Sequence, residues 1–243
     1  MNTGNSASCA PSPKCLKKQT DIYKMKKICY IVGAGEGFVP FSPKENDFVI
    51  AADGGYDALR RAGVRPHLFV GDMDSFAGTP DGETECHPVR KDDTDTALAY
   101  RAGRARGYEN FVLLSCVGGR EAHTYANLSL LAAARREGAR VLLVGKKETS
   151  LVMENESITL SRPAGTLLSV FAFGGAAHGV TLRNLSYPAE DLTLLPDVPL
   201  GVSNAFCDAP ATVSVGEGRL LLMCGREEGE IPLDIFDGFC ERT

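Results

Sequence analysis

Short apolar runs alternate with helix-like stretches over the first part of the chain. The predicted strands are Ile28–Val32, Phe48–Ala52, Leu68–Val70, Phe111–Val117 and Val141–Val144. The predicted helices between them are Tyr56–Ala62, Thr94–Arg106 and His123–Glu137. Continuous apolar strands that alternate with helices are typical of a parallel sheet covered on both faces. We therefore predict an α/β domain over residues 25–146, built on an open, mainly parallel sheet with helices on both faces.

After Lys146 the pattern changes to short runs that are broken by Gly, Pro and Asn. The predicted strands are Ser157–Leu160, Leu167–Phe173, Leu192–Leu195, Ala211–Val215 and Arg219–Met223. Helix-like spacing nearly disappears here. Several short strands separated by turn residues are typical of an antiparallel sandwich. We therefore predict a β-sandwich domain over residues 147–243.

Residues 1–24 are rich in Ser, Pro and Lys and contain no apolar stretch of the kind found in secretory signals. A second methionine, Met25, stands directly before the first predicted strand. We expect this segment to be a disordered leader, with either Met1 or Met25 as the true start.

Composition and charge exclude several classes of protein. The net charge is -5, whereas a surface that binds duplex nucleic acid usually carries an excess of basic residues. No apolar run approaches the roughly 20 residues that span a bilayer. Of the 8 cysteines, Cys29, Cys116 and Cys224 lie within apolar runs, and none has zinc-ligand spacing. We predict a cytoplasmic protein without nucleic-acid or membrane partners.

Aspartates follow directly on two of the predicted strands. Asp53 lies in AADGG (51–55), and Asp72 and Asp74 lie in GDMDS (71–75). In open parallel sheets, ligands bind beyond the carboxyl ends of the strands. Carboxylates collected there repel one another unless a cation joins them, and Mg²⁺ does so together with substrate phosphates. The pattern therefore predicts a magnesium and phosphate site at this edge.

Two further motifs are less specific by themselves. KDDTD (91–95) opens a predicted helix, where acidic residues and Thr are also favoured by capping and by the helix dipole. Capping and ligand binding therefore both remain open for this segment. Gly33-Ala-Gly-Glu-Gly37 has a G-x-G spacing but lacks the full dinucleotide fingerprint, and the chain contains no P-loop motif.

In combination these motifs resemble those of the thiamine pyrophosphokinases (thiamine diphosphokinases). The matching segments are AADGG, GDMDS, KDDTD, Gly118-Gly119-Arg120 followed by His123 and Asn127, and Ser203-Asn204. The resemblance covers the chain from Met25 onward, and GDMDS with KDDTD is its most specific part. It implies transfer of pyrophosphate from Mg-ATP to the hydroxyethyl group of thiamine, with ATP bound by the first domain and thiamine by the second.

The resemblance also implies roles for individual residues. Asp72, Asp74 and Asp95 match the family's catalytic magnesium carboxylates. The residues that match nucleotide-binding positions are Asp53, Gly54, Lys91, Asp92, Thr94, Arg120 and His123. Ser203 and Asn204 match a pair that helps to form the thiamine pocket. The resemblance further implies a homodimer with active sites where the two subunits meet.

The chain departs from the family pattern at two positions. Ala122 replaces the aspartate of the R-x-D-H segment, and Ala205 replaces the acidic residue that commonly follows the Ser-Asn pair. Two alternatives therefore stay open. The chain could be a pyrophosphokinase for another alcohol acceptor, or a nucleotide- or thiamine-binding protein without turnover. The retained aspartates favour an enzyme, because metal carboxylates serve phosphate chemistry more than simple binding.

Overall fold

The computed structural model describes residues 26–72, 82–86 and 93–240. The predicted leader lies outside the described residues. Three of the predicted site residues, Asp74, Lys91 and Asp92, also lie outside them.

The described residues form strands, three α-helices and a short 3-10 helix. The strands are β1 Ile28–Val32, β2 Phe48–Ala52, β3 Leu68–Gly71, β4 Glu83–Cys86, β5 Asn110–Leu114, β6 Arg140–Val144, β7 Glu148–Glu154, β8 Ser157–Leu160, β9 Leu167–Ala172, β10 Ala177–Arg183, β11 Ala189–Leu194, β12 Asn204–Ala205, β13 Ala211–Ser214, β14 Arg219–Gly225 and β15 Phe239–Cys240. The helices are α1 Gly55–Arg61, α2 Asp95–Ala105, α3 Glu121–Arg136 and the 3-10 helix Leu233–Asp237.

Most described strands belong to one mixed sheet. Its ten described strands have the order β12-β9-β14-β7-β6-β5-β1-β2-β3-β4. The strands from β6 to β4 in this order are parallel to their neighbours. The remaining pairs, from β6 to β12, are antiparallel. A second, antiparallel sheet has the order β11-β10-β13-β8-β15. The predicted fold class is confirmed.

The larger sheet runs on past residue 147. β7, β9, β12 and β14 all follow that residue in the chain, yet they extend the sheet that begins with β1. The smaller sheet consists of strands from residue 157 onward. The division into domains at residue 147 stays a prediction.

The two faces of the larger sheet are covered differently. Tyr56 and Leu59 of α1 pack on one face, and Tyr100 of α2 and Leu131 of α3 pack on the other. Ile158 and the rest of the smaller sheet's apolar side chains join the same core as α1. The antiparallel part of the larger sheet and the smaller sheet therefore form the predicted sandwich.

Several described strands were missed by the apolar pattern, among them β4, β7, β10, β12 and β15, and others have different bounds from the prediction. β4 is mostly exposed at the edge of the sheet, so it needs no apolar side chains. β10 begins at Ala177, within a Gly-rich stretch. β5 ends at Leu114 rather than at Val117, because the backbone of Ser115 turns to a φ of 52°, which a continuing strand cannot accommodate.

Candidate functional site

The carboxyl ends of the parallel strands carry the starts of all three described α-helices. α1 follows β2, α2 follows β4, and α3 follows β5. Asp53 lies directly after β2 with a φ of 48°, and its backbone N–H donates to the Val70 carbonyl of β3 at 2.8 Å. A Cβ on Gly71 would lie 3.3 Å from the Asp53 Cα. Asp53 and Asp72, the residue after Gly71, are therefore neighbours at two adjacent strand ends.

Gly54 and Gly55 let the chain turn tightly from β2 into α1. A Cβ on Gly55 would lie 1.8 Å from the Val32 carbonyl oxygen, a position that no side chain can occupy. A Cβ on Gly54 would lie 3.0 Å from the Ala34 Cβ, so Gly54 faces the loop after β1. The predicted residues Asp53 and Gly54 thus lie between the ends of β1 and β3.

The start of α2 also lies at this edge. The Thr94 hydroxyl oxygen accepts a hydrogen bond from the Ala97 N–H at 3.2 Å and caps the helix, so the capping role left open for this segment is present. Asp95 is the first residue of the helix and is half-buried. Asp93 binds Arg101 through both carboxylate oxygens. Within the KDDTD motif, therefore, Asp93 pairs with Arg101 and Thr94 caps the helix.

A cavity of about 250 Å³ opens beside these residues, between the ends of β1 and β5. The residues that line it are Gly33, Ala34, Gly35, Thr96, Ser115, Cys116, Gly118, Gly119, Arg120, His123 and Asn127. Arg120 carries the positive charge of this lining, His123 lies beside it, and the described lining contains no carboxylate. The cavity thus favours a ligand that carries negative charge near its mouth.

Glycines bring the loops after β1 and β5 into close contact. The Gly35 N–H donates to the Ser115 carbonyl at 2.6 Å, and the Glu36 N–H donates to the Val117 carbonyl at 2.8 Å. A Cβ on Gly35 would lie 2.4 Å from the Val117 carbonyl oxygen. The G-x-G spacing therefore serves loop packing around the cavity, and its backbone bonds set the cavity's shape.

The start of α3 forms one wall of the cavity. Arg120 is the N-cap residue, has an extended backbone and makes no side-chain cap hydrogen bond. Its guanidinium contacts the His123 Nε2 one turn along the helix, and both side chains are exposed. The helix start and Arg120 together give this wall a positive potential.

The floor of the cavity is buried and polar. Asn127, which is 5% exposed, donates from its Nδ2 to the Cys116 carbonyl at 2.7 Å. Burial raises the pKa of Cys116 to about 12, although hydrogen bonds from Thr96 and Gly33 partly oppose this shift. Cys116 is therefore a neutral thiol at physiological pH.

Asn204 and Ser203 lie elsewhere, at the edge strand β12. Asn204 is 4% exposed, and its carboxamide bonds to both backbone groups of Tyr187, with Oδ1 accepting at 2.9 Å and Nδ2 donating at 2.8 Å. Ser203 is exposed and has a φ of 57°. Asn204 therefore holds the segment around Tyr187 in place, while Ser203 faces outward.

The structure thus brings part of the predicted site together. Asp53, Gly54, Asp72 and Asp95 lie at the carboxyl edge of the parallel strands, and Arg120 and His123 line the cavity at the same edge. Seven strand spacings separate β2 from β12 in the larger sheet, which at about 4.8 Å each amount to about 34 Å along the sheet. Ser203 and Asn204 are therefore remote from the aspartates within one chain.

Several residues of the cavity, among them Thr96 and Ser115, belong to no motif that the sequence displays. Ser115 lies inside the predicted strand Phe111–Val117, and only its positive φ and its position beside the cavity reveal it. The described residues contain no group of three His, Cys, Asp or Glu side chains that could hold a metal ion by themselves. None of the described helices is long and apolar enough to cross a membrane.

Two family models match the chain. The model described as "Thiamin pyrophosphokinase, catalytic domain" matches residues 42–143, and the model described as "Thiamin pyrophosphokinase, vitamin B1 binding domain" matches residues 155–220. Together they cover more than half of the chain. A comparison with curated proteins gave no match.

Solved structures have the same fold. A thiamine pyrophosphokinase from Bacillus subtilis superposes with a TM-score of 0.75 at 21% identity, over 83% of this chain and 100% of that one. One from Geobacillus thermodenitrificans gives 0.72 at 24% identity, over 82% and 98%. One from Candida albicans gives 0.66 at 11% identity, over 83% and 90%.

Proposed function

Because the chain belongs to the thiamin pyrophosphokinase family, we propose that it transfers the pyrophosphoryl group of Mg-ATP to the hydroxyethyl oxygen of thiamine. The products are thiamine diphosphate and AMP. Family membership makes the chain an enzyme of thiamine metabolism, and ATP as its co-substrate is part of the proposal. The metal and the roles of single residues belong to the proposal.

One observation carries the proposal. Asp53 and Asp72 stand at adjacent strand ends, beside a cavity whose described lining holds Arg120 and His123 and no carboxylate. An acidic group next to a cationic one suits a metal-bound polyphosphate, since the carboxylates attract the metal and the arginine attracts phosphate oxygens.

The aspartate carboxylates at this edge suit an Mg²⁺ ion that is bound jointly with substrate phosphates. The described residues contain no three-residue cluster that would cage a metal alone. Mg²⁺ does not need one, because it is usually bound by one or two carboxylates together with waters and substrate phosphates. Asp72, with Asp95 and the undescribed Asp74, would hold it, and Asp53 lies next to Asp72. When bound, Mg²⁺ neutralises charge on the phosphate oxygens.

The residues of the chain contribute mainly position and charge. The thiamine hydroxyl oxygen forms a bond to the β-phosphorus of ATP, and the bond from that phosphorus to the oxygen bridging to the α-phosphate breaks. The bridging oxygen keeps the electron pair and leaves as part of AMP. Arg120 stabilises negative charge on the phosphates. The hydroxyl proton passes to a carboxylate, for which Asp72 or Asp95 is the candidate.

The acceptor side of the reaction supports a homodimer. About 34 Å of sheet, or seven strand spacings, separates the Ser203-Asn204 pair from the aspartates in one chain. The two sets of residues of one subunit therefore cannot contact the same thiamine molecule. A second copy can supply the missing half. We propose that each active site combines the aspartates of one subunit with the Ser203-Asn204 region of the other.

The surface around Ser203 supports the same arrangement. Large apolar side chains are exposed in the segment that leads up to it, at Tyr187, Leu195, Val198, Leu200 and Val202. Such a concentration of exposed apolar residues in a globular protein marks an interaction surface. A second copy that covers these side chains would also place its own aspartates near Ser203.

We also propose a cytoplasmic location. The cysteines that the structure describes are all free thiols, and Cys29, Cys116 and Cys224 are buried. Free thiols persist in reducing compartments. An assay of fractionated cells would test this location.

AMP release tests the proposed reaction. Purified protein is incubated with Mg-ATP, with and without thiamine, and the products are identified by mass. Thiamine-dependent AMP together with thiamine diphosphate is the expected result. AMP that forms only with another alcohol would move the assignment to that acceptor, which the alanines at positions 122 and 205 would then explain. ATP binding without any AMP would indicate a binding protein.

A pair of variants tests the carboxylate assignment. Asp72→Asn removes one charge at the strand end and should lower kcat at least a hundredfold with the fold intact. Asp57→Asn is the matched control, because Asp57 lies on α1 close in sequence to the site and pairs only weakly with Arg60, at 3.8 Å. Equal activity of the two variants would contradict the assignment.

Subunit mixing tests the composite site. Asp72→Asn protein and Ser203→Ala/Asn204→Ala protein are mixed after mild dissociation, each being nearly inactive alone. In a symmetric dimer with shared sites, heterodimers contain one fully native site each, so random exchange should restore about a quarter of wild-type activity. No recovery after verified exchange would place each site within one subunit.

A further inference from the structure

The floor of the cavity contains a buried hydroxyl group that has no hydrogen-bond partner in the described part of the chain. Ser115 is 1% exposed, and its Oγ is buried without a hydrogen-bond partner among the described residues. The same holds for Thr149 Oγ1 and Arg162 Nε. Of these three groups, only that of Ser115 belongs to a residue lining the cavity at the start of α3.

The backbone holds Ser115 in an unfavourable conformation. Its φ is 52°, in the left-handed region that Ser seldom adopts. This conformation directs the Ser115 carbonyl toward the loop after β1, where it accepts the hydrogen bond from Gly35. A strained residue with an unpaired buried hydroxyl costs free energy in the absence of a ligand. Both features are typical of ligand sites.

Asn127 supplies the second polar group of the floor. Its Nδ2 is committed to the Cys116 carbonyl at 2.7 Å, and this bond fixes the plane and the orientation of the carboxamide. The oxygen Oδ1 is then the acceptor that Asn127 can present to the cavity it lines. The floor therefore combines a hydroxyl that can donate with a carboxamide oxygen that can only accept.

This combination selects the kind of ligand group. A phosphate oxygen at neutral pH only accepts hydrogen bonds, so it would satisfy Ser115 and repel the oxygen of Asn127. An alcohol group both donates and accepts, and it satisfies both side chains. The cationic Arg120 stands with His123 at the exposed mouth, where phosphates attached to that alcohol-bearing group would lie.

We propose that Ser115 and Asn127 bind a ribose hydroxyl of the nucleotide and thereby select ribonucleotides over their deoxy analogues. This inference rests on the proposed function, since it takes the nucleotide to be the occupant of the cavity. A site built to hydrogen-bond a hydroxyl discriminates strongly against the analogue that lacks it, because the buried polar groups of the site are then left unpaired.

Binding measurements without thiamine test the proposal. The affinities of Mg-ATP, Mg-2′-deoxy-ATP and Mg-3′-deoxy-ATP are measured by calorimetry for the wild type and for Ser115→Ala. The wild type should bind ATP at least tenfold more tightly than one of the two analogues. In Ser115→Ala this preference should fall to about twofold or less, through loss of ATP affinity alone.

Thr149→Val is the matched control. Thr149 carries the other buried hydroxyl without a partner in the described part of the chain, but it lies on β7 and does not line the cavity. This variant should keep the full preference for ATP. A similar loss of preference in Thr149→Val would indicate a general effect of removing buried hydroxyls and would overturn the proposal.

The remaining outcomes separate the inference from the proposed function. If Ser115→Ala weakens ATP, both deoxy analogues and tripolyphosphate equally, the residue contacts phosphate and the inference is wrong. If the wild type binds ATP but Ser115→Ala keeps its preference, the inference fails while the proposed function stands. If the wild type binds no ATP in the presence of Mg²⁺, both fail.

Discussion

A largely buried ion pair joins the helix that forms the cavity wall to the turn between the two sheets, and its removal should be costly. The Arg135 guanidinium, near the end of α3, donates to both carboxylate oxygens of Glu156 at 2.8 and 2.9 Å. Glu156 lies in the turn between β7 and β8 and also accepts from the Glu154 N–H at 3.2 Å. Glu156→Gln removes the negative charge. It also replaces one carboxylate oxygen by an NH₂ group, which would face an N–H donor of the Arg135 guanidinium.

The expected cost follows from burial. The Glu156 side chain is 6% exposed and that of Arg135 is 19% exposed. Removing one partner of a fully buried pair costs about 3–5 kcal/mol, and an exposed pair contributes about 0–1 kcal/mol. Because the arginine keeps some contact with water, we expect Glu156→Gln to lower the free energy of unfolding by about 2–4 kcal/mol.

Glu154→Gln is the matched control. Glu154 lies two residues away and also pairs with an arginine, Arg219, at 3.4 Å, but its side chain is 26% exposed. This variant should cost no more than about 1 kcal/mol. Urea unfolding followed by far-UV circular dichroism is the assay, since the chain has no Trp to report by fluorescence. Stabilities of the two variants within 1 kcal/mol of each other would refute the argument from burial.

Three further predictions concern the cavity and the edge strand. Gly35→Ala should weaken ATP binding at least tenfold in calorimetry, because its Cβ would lie 2.4 Å from the Val117 carbonyl oxygen; unchanged affinity would show that the loop can shift freely. Cys116 should resist iodoacetamide at pH 8 while Cys240 reacts, as measured by peptide mass, because burial raises the pKa of Cys116 to about 12 and keeps it protonated. Equal alkylation would contradict this. Asn204→Ala should lower the free energy of unfolding by about 2–3 kcal/mol and raise the KM for thiamine, because both backbone groups of Tyr187 lose their partner. A stable variant with an unchanged KM would show that the carboxamide does not order this segment.

Several features of the chain were predictable because they depend on local pattern. The buried strands β1, β2 and β6 are continuous apolar runs, and Thr94 and the acidic residue after it mark the start of α2. The position of Asp53 and Asp72 at strand ends followed from the same pattern, since in parallel sheets every carboxyl end lies at one edge.

Other features were hidden from local pattern. β4 is an exposed edge strand with the sequence ETEC, so it carries no apolar signal. The extension of the larger sheet through β7 and β14 depends on pairing between strands far apart in the chain, and no short segment encodes such a pairing by itself. The hydrogen bonds between the Asn204 carboxamide and the backbone of Tyr187 also join residues that are far apart in the chain, so the sequence did not reveal them.

The sequence by itself determined the alternation of buried strands and helices in the first part of the chain, the family and the residue types available for phosphate chemistry, because these depend on hydrophobic period and on motifs within a few residues. Tertiary structure alone decided which groups share a site. It placed Ser115 on the floor of the cavity beside Asn127, and it separated Asn204 from Asp53 by the breadth of the larger sheet. The reason is that distances between strands are set by sheet order, which arises from long-range packing and not from position along the chain.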